Sequence, residues 1–320
     1  MKTGELVRVG VVGVGYVGEH HARIYSELPG VELVGLVDID EARLSEVGAR
    51  HRAFLSRDYR ELLGKVDAVS VAVPTLLHYP IAKELLEFGI DVLVEKPIAQ
   101  SLTQADDLVA IAKADARIFQ VGHIERFNGA VKALESVVNG PGFIECHRLG
   151  PFAARGTDVD VVLDLMIHDI DIILNLIKEP VTAVSAVGVP VISDQVDIAN
   201  ARLQFASGCV ANLTASRVSV ERVRRVRIFQ RDTFISLDYS QQEITIYHRV
   251  PGVEDGAGQP APKILKEDMS IDKAEPLRVE LESFVECVRG RTRPLVSGEE
   301  GRDALRVASQ IVEKFSGRSP

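Results

Sequence analysis

The hydrophobic positions of this chain change their period partway along, and the change divides it. Up to about residue 120, short Val-rich runs alternate with stretches of helical periodicity. The runs at 7–12, 32–37, 68–73, 91–94 and 117–121 are mostly apolar, as strands buried on both faces are. The stretches at 18–27, 41–50, 79–87 and 102–113 read as helices. Strand and helix in alternation predict a doubly wound parallel sheet with crossover helices.

After about residue 122 the pattern differs. A helix over 127–138 stops at Asn139-Gly140-Pro141-Gly142, where glycine and proline end it. A strand at 144–149 follows, then a helix over 161–177. From 181 to 247 polar and apolar residues alternate in consecutive strands, among them 199–205, 210–215, 225–229 and 233–237, with a tight turn at Ser207-Gly208. This predicts an antiparallel sheet with helices on one side. The Gly- and Pro-rich stretch 251–262 reads as a loop, and helices over 276–289 and 299–315 close the chain. At 320 residues the chain is too long for one ordinary core. The division expected is two domains, 1–122 and 123–320.

The helix over 161–177 is unusual. Asp164, His168, Asp171 and Asn175 are spaced four, three and four apart, and Val, Leu, Ile and Met dominate the other faces. The four polar residues therefore share one face of a mostly buried helix. Burying even a neutral polar group without a partner costs about 2–7 kcal/mol. The stripe is expected to meet a cavity, a ligand or a matching polar wall; a narrow wet face on a surface helix is the alternative.

Composition narrows the partners. The chain is 46% hydrophobic and 26% charged, as globular proteins are. A net charge of -9 argues against a nucleic-acid partner. The cluster Arg222, Arg224, Arg225 and Arg227 reads first as the solvated or interface face of a strand, and second as an anion site. Cys146, Cys209 and Cys287 are scattered without metal-ligand spacing, so free thiols in a reducing compartment and no metal are expected. The first residues run directly into a strand, with no signal peptide, and no apolar run reaches about 18 residues. A cytoplasmic protein with no membrane partner is expected.

The first strand ends in Gly13-Val14-Gly15-Tyr16-Val17-Gly18, and a helix follows. A GxGxxG run between strand and helix is the Rossmann dinucleotide fingerprint. Gly13 permits the tight turn, Gly15 lets the backbone approach a pyrophosphate, and Gly18 allows close helix packing. The helix N-terminus then favours the anion. Asp38, twenty positions after Gly18, ends the second strand where an acid binds ribose hydroxyls. A carboxylate there repels a 2′-phosphate, so the cofactor expected is NAD rather than NADP. The strand at 91–94 runs into Glu95-Lys96-Pro97. Ligands bind at carboxyl-terminal strand ends of such sheets, where Lys96 could orient a substrate hydroxyl.

Together, Gly13/Gly15/Gly18, Asp38, Ala72-Val73-Pro74-Thr75-Leu76-Leu77-His78, Glu95-Lys96-Pro97, Asp164-xxx-His168 and Val296-Ser297-Gly298-Glu299-Glu300-Gly301 resemble the glucose–fructose oxidoreductase / inositol dehydrogenase / MocA family. The resemblance runs almost the whole chain. It implies an N-terminal Rossmann domain and a C-terminal α/β domain with a large open, mainly antiparallel sheet, whose outer face packs in homodimers or homotetramers. It also implies that Lys96, Asp164 and His168 are the catalytic set. Gly13, Gly15, Tyr16, Val17, Gly18, Asp38, Val73, Pro74, Thr75, His78, Glu95 and Lys96 would line the cofactor.

The physical roles agree with such a set. Oxidising an alcohol with NAD needs a base, and histidine titrates near neutrality. Lys96 would stabilise developing negative charge on the reacting oxygen. Asp164 would hold the imidazole or bind a neighbouring hydroxyl. The stripe would then face the cleft between the domains.

Two segments, 122–128 and 164–171, are similar to the UDP-N-acetylglucosamine 3-dehydrogenase branch of the family. That similarity implies a UDP-sugar oxidised at its 3-hydroxyl, then used by a downstream aminotransferase for lipid A or surface-glycan precursors. Arg126, Arg148 and Arg155 are candidates to meet a diphosphate, with Asn128 beside them on the substrate. The rival readings are a dehydrogenase of a free sugar or inositol, and a non-catalytic NAD-binding sensor. The presence of Lys96, Asp164 and His168 together speaks against the sensor.

Overall fold

The computed structural model describes residues 6–152, 159–251 and 262–316. Two compact units emerge: 1–124 with 275–305, and 125–274 with 306–320. The first holds six strands, β1 (Val7–Val12), β2 (Val31–Val37), β3 (Phe54–Ser56), β4 (Ala68–Val71), β5 (Asp91–Glu95) and β6 (Phe119–Gly122). All pair parallel, in the order β3-β2-β1-β4-β5-β6. Helices α1 (Tyr16–Glu27), α2 (Glu41–Gly48), α3 (His78–Glu87) and α4 (Leu102–Ala114) cross over between strands. The Asp40 side chain caps α2 and Ser101 caps α4. The order reverses between β1 and β4, so their carboxyl ends flank the switch point where ligands bind. Strand β3 escapes the periodicity because it has three residues.

The second unit holds α5 (Gly129–Val137), β7 (Phe143–Leu149), α6 (Ile167–Ile177), β8 (Val181–Val189), β9 (Ile198–Phe205), β10 (Val210–Ser216), β11 (Val223–Gln230), β12 (Thr233–Asp238), β13 (Glu243–Val250) and β14 (Lys263–Asp268). The eight strands lie in the order β14-β13-β12-β11-β7-β10-β9-β8. Every neighbouring pair is antiparallel except β7 with β10. Register carries the core across the sheet: Leu203, Ala211, Ile144, Ile228, Ile235 and Ile246 face one another in turn and are all buried. Their neighbours project to the opposite face. There Phe143, Phe229, Phe234 and Tyr247 stack in a row, with ring centroids 5.6, 4.9 and 5.2 Å apart.

The closing helices correct the linear division at residue 122. Helix α7 (Pro276–Gly290) belongs to the first unit: Leu281, Phe284, Val285 and Val288 share a core with Val7, Val9, Val11, Ile24 and Tyr25. Its apolar stripe is buried against β1 and α1, an association between distant segments that periodicity does not specify. Helix α8 (Gly298–Ser316) begins in the first unit and ends in the second. Its start lies close to β6, since a Cβ on Gly298 would reach Phe119 at 2.5 Å and one on Gly301 would reach Val121 at 2.5 Å. The segment before it adds to the sheet edge, Val121 donating its amide to Val296 at 3.0 Å. Among the described residues, no helix is long and apolar enough to cross a membrane. The stretch 252–261 and Arg155 lie outside the described residues.

Candidate active site

In the first unit the glycines divide by role. Gly13 leaves β1 with φ +87°, and a Cβ there would lie 2.5 Å from the Ala72 carbonyl oxygen. A Cβ on Gly18 would lie 1.8 Å from the Gly13 oxygen, so α1 could not approach β1. At Gly15, by contrast, a Cβ would meet nothing within 4 Å. Gly13 and Gly18 shape the loop, and Gly15 keeps its outer surface bare backbone. Gly15 is also the N-cap of α1, and no side chain caps that helix. A pyrophosphate fits there, on backbone amides and the positive end of the dipole.

Asp38, the residue expected at the ribose, holds the loop. Its Oδ2 accepts the Val14 amide at 2.7 Å and its Oδ1 accepts the Asp40 amide at 2.9 Å. Each carboxylate oxygen can accept a second bond, so capacity for ribose hydroxyls remains. Arg43 donates from Nε to the Val14 carbonyl at 3.0 Å, while Glu46 and Glu19 engage the rest of its guanidinium. Glu19 and Glu46 also bind Arg50. These arginines are thus neutralised, which disfavours a 2′-phosphate and suits NAD. Tyr16 and Val17 are exposed in the first turn of α1, with the Tyr16 ring edge-on to His20 at 5.2 Å.

The loops after β4 and β5 are tied together from behind. His78 is buried, with Nε2 2.9 Å from the Val73 carbonyl and Nδ1 2.8 Å from the Pro97 carbonyl. Burial pushes its pKa down, against the opposing pull of the two carbonyls. His78 is therefore an internal tie between these two loops, not a surface group. Val73, Pro74 and Thr75 lie in that first loop, half-buried or exposed. The Lys96–Pro97 peptide is cis and Lys96 is half-buried.

Glu95 turns inward. Its carboxylate lies 3.2 Å from Nε2 of the fully buried His21, and a Cβ on Gly122 would come within 2.9 Å of it. Burial raises the Glu95 pKa, but His21, Lys96 and His78 outweigh that and hold it below its usual value. Glu95 thus supports the strand end that presents Lys96.

In the second unit, Asp164 lies on a widened π-helical turn, Val162–Met166, that leads into α6. Sequence spacing predicts an uninterrupted α-helix here; such π turns are frequent at functional sites. Asp160 starts the turn, its Oδ1 accepting the amides of Val162 and Leu163 at 2.8 and 3.0 Å. Its burial raises its own pKa. A second clamp stands behind it. Arg217 donates to Asp197 at 2.9 Å and to the Val159 carbonyl at 2.9 Å. Burial pulls the Asp197 pKa up, but bonds from the Ser193 hydroxyl, the amides of Ile192 and Ser193, and Arg217 hold it well below the carboxylate range.

The stripe itself divides. Asp164 and His168 are half-buried, whereas Asp171 is buried. Arg126 reaches Asp171 at 3.4 Å and Asn175 at 2.8 Å, and Asn175 donates to Glu135 at 2.7 Å. The matching polar wall for the lower stripe is therefore Arg126. This corrects the expectation that Arg126 meets a substrate phosphate, because its guanidinium is enclosed. Asn128 is likewise committed: it caps α5 through Ala130 at 3.0 Å and donates to the Tyr239 carbonyl at 3.1 Å. Arg148 is buried too, forked onto Asp169 at 2.8 and 3.0 Å and bonded to Glu125 at 2.9 Å. These three residues order the second unit instead of lining a substrate surface. The network Glu125–Arg148–Asp169 was not foreseen, since charged residues at positions 125, 148 and 169 carry no mutual spacing signal.

Comparison with known proteins agrees with the fold and the cofactor edge. Residues 7–123 match the oxidoreductase family model with an NAD-binding Rossmann fold, and residues 128–233 match the GFO/IDH/MocA C-terminal domain. The chain is 37% identical over 318 residues to UDP-N-acetylglucosamine 3-dehydrogenase of Acidithiobacillus ferrooxidans, covering 98% of this chain and 99% of that one. A solved structure of that enzyme matches with a TM-score of 0.88 at 35% identity, over 96% of this chain and 97% of that chain. Myo-inositol 2-dehydrogenase of Thermotoga maritima is 27% identical over 93% of each chain. The first unit is an NAD-binding domain, and the chain belongs to the GFO/IDH/MocA family of oxidoreductases.

Proposed function

We propose that this dehydrogenase oxidises the 3-hydroxyl of UDP-N-acetylglucosamine to a ketone, with NAD as acceptor. The observation that carries this reading is the 37% identity, over nearly the full length of both chains, to an enzyme of that name. Lys96, Asp164 and His168 are the residues proposed to act. Bound NAD supplies the hydride acceptor. His168 has a buried Nδ1, so Nε2 is the atom that receives the hydroxyl proton. As the C–H electron pair leaves the carbon, the C–O bond becomes a carbonyl and the O–H proton ends on that nitrogen. Lys96 donates a hydrogen bond to the same oxygen and stabilises its developing charge. Asp164 orients the imidazole or a neighbouring sugar hydroxyl.

The wider setting is part of the proposal. A 3-keto sugar nucleotide is a substrate for an aminotransferase, which places the enzyme in amino-sugar synthesis for lipid A or a surface glycan, in the cytoplasm. The aromatic row Phe143, Phe229, Phe234 and Tyr247 on the outer sheet face supports a homodimer or homotetramer formed through that face. The test is NADH formation from NAD with a panel of UDP-sugars, free sugars and inositols, ideally with an aminotransferase drawing off the ketone. UDP-N-acetylglucosamine is expected to turn over. Turnover of inositol or a free sugar alone would replace this reading with the one its inositol dehydrogenase relative suggests.

A further inference from the structure

The arginine cluster at the start of β11 does not form a single face. Arg225 and Arg227 are accounted for: they lie 3.7 Å from Asp238 and 3.0 Å from Glu145. Arg224 projects to the other side of the sheet, directly opposite Arg148 on β7. Its side chain is half exposed, and its ionic neighbour is Glu125 at 3.9 Å, an oxygen that Arg148 already holds at 2.9 Å. Arg222, just before the strand, is exposed and adds a like charge to Arg224. The carboxylates that act on Arg224, Glu125 and Asp169, are both already bonded to Arg148. Among the described residues, the carboxylate nearest Arg224 is thus one that it shares with Arg148. Partial burial and the nearness of Arg148 push the Arg224 pKa down, and an anion bound beside it would offset both effects.

The place of Arg224 bears on the substrate. Arg148 joins Arg224 to Asp169, and Asp169 follows His168 on α6. We propose that Arg224, with Arg222 beside it, is the subsite for the diphosphate of a nucleotide-linked sugar. This rests on the sugar-nucleotide reading above and deepens it, replacing the enclosed Arg126 and Arg148 as the phosphate-binding groups. A guanidinium presents a planar fork that matches two phosphate oxygens, and such charge-assisted bonds are the strong ones. A free sugar or inositol carries no charge for this subsite to recognise.

The experiment measures UDP binding by calorimetry and UDP-N-acetylglucosamine kinetics for wild type, Arg224→Ala, Arg224→Lys and the Arg222→Ala/Arg224→Ala double variant. In Arg224→Ala the Kd for UDP and the KM for UDP-N-acetylglucosamine should rise roughly 10- to 100-fold. Its kcat should stay within about threefold, with the KM for NAD unchanged. Arg224→Lys should fall between, since it keeps the charge and loses the fork. Wild type that binds no UDP, or a double variant that binds UDP within about twofold of wild type, overturns the subsite. Turnover reads the substrate assignment separately: wild type that binds UDP through Arg224 yet oxidises no UDP-sugar refutes that reading and leaves the subsite standing. A parallel rise in the KM for NAD would assign Arg224 to the cofactor's own pyrophosphate and overturn the proposal.

Discussion

The two units build their functional regions from different materials. The first offers backbone: a bare surface at Gly15, a loop shaped by Gly13 and Gly18 and held by Asp38, and an uncapped helix end, while His78 ties together the loops after β4 and β5. The second offers side chains held by buried carboxylates and ion pairs: Asp164 stands on a turn started by Asp160 and preceded by the Arg217 clamp, and His168 stands in α6 beside Asp169, which Arg148 holds. Backbone amides keep their geometry wherever the chain turn is right, so one glycine loop suits any member of a cofactor class. Side chains must be oriented one by one, and buried charges need partners, so the second unit has an internal ionic frame. On the proposed assignment, cofactor binding draws on the generic half of the molecule and proton transfer by His168 on the particular half.

This contrast can be broken at several points. The largest effect is expected at His168→Ala, where kcat should fall about 10²–10⁴-fold while NAD affinity, read by NADH fluorescence, stays at the wild-type value. A matching loss of NAD affinity would mean that the two halves are not separable. Next comes Arg148→Ala, which leaves Glu125 and Asp169 buried without their shared cation. It should cost about 3–5 kcal/mol in denaturant unfolding, and a cost under about 1 kcal/mol would show that the ionic frame is dispensable.

The glycines should separate by role. Gly15→Ala is expected to weaken NAD binding about 10- to 100-fold, roughly 1.4–2.8 kcal/mol, with Tm unchanged. Gly18→Ala, which collides with the Gly13 oxygen, should lower Tm as well. Equal effects from both would sink the division between shaping and binding glycines.

The smallest effect concerns acid. Asp197 is a carboxylate with a depressed pKa. Its contribution is complete above the unfolded value of about 3.9 and is lost as pH falls below it toward the folded value. Asp197→Asn should therefore cost about 1.5 kcal/mol near pH 7, and the gap to wild type should narrow below about pH 4.

What could be read from the sequence follows the same line. The glycine loop, Asp38 and the Val-rich strands were legible because backbone requirements act locally and leave spacing signals. The polar stripe was legible as a face, and its expected polar wall proved to be Arg126 for the lower half. The identity of that wall was not, because the partner of Asp171 lies 45 positions away. Nor was the fate of Arg148 and Asn128, since an arginine or asparagine in a segment gives no sign of whether it will be enclosed. The return of α7 to β1 was hidden for a similar reason: an amphipathic helix states that it buries one face, not against which sheet.

The most direct test of the central claim follows one hydrogen. UDP-N-acetylglucosamine carrying deuterium at C3 is incubated with NAD and the enzyme, and the NADH formed is examined by mass spectrometry. The account predicts one deuterium in the NADH together with a 3-keto sugar nucleotide. Unlabelled NADH would place the oxidation at another carbon, and no NADH from this substrate would remove UDP-N-acetylglucosamine from the account.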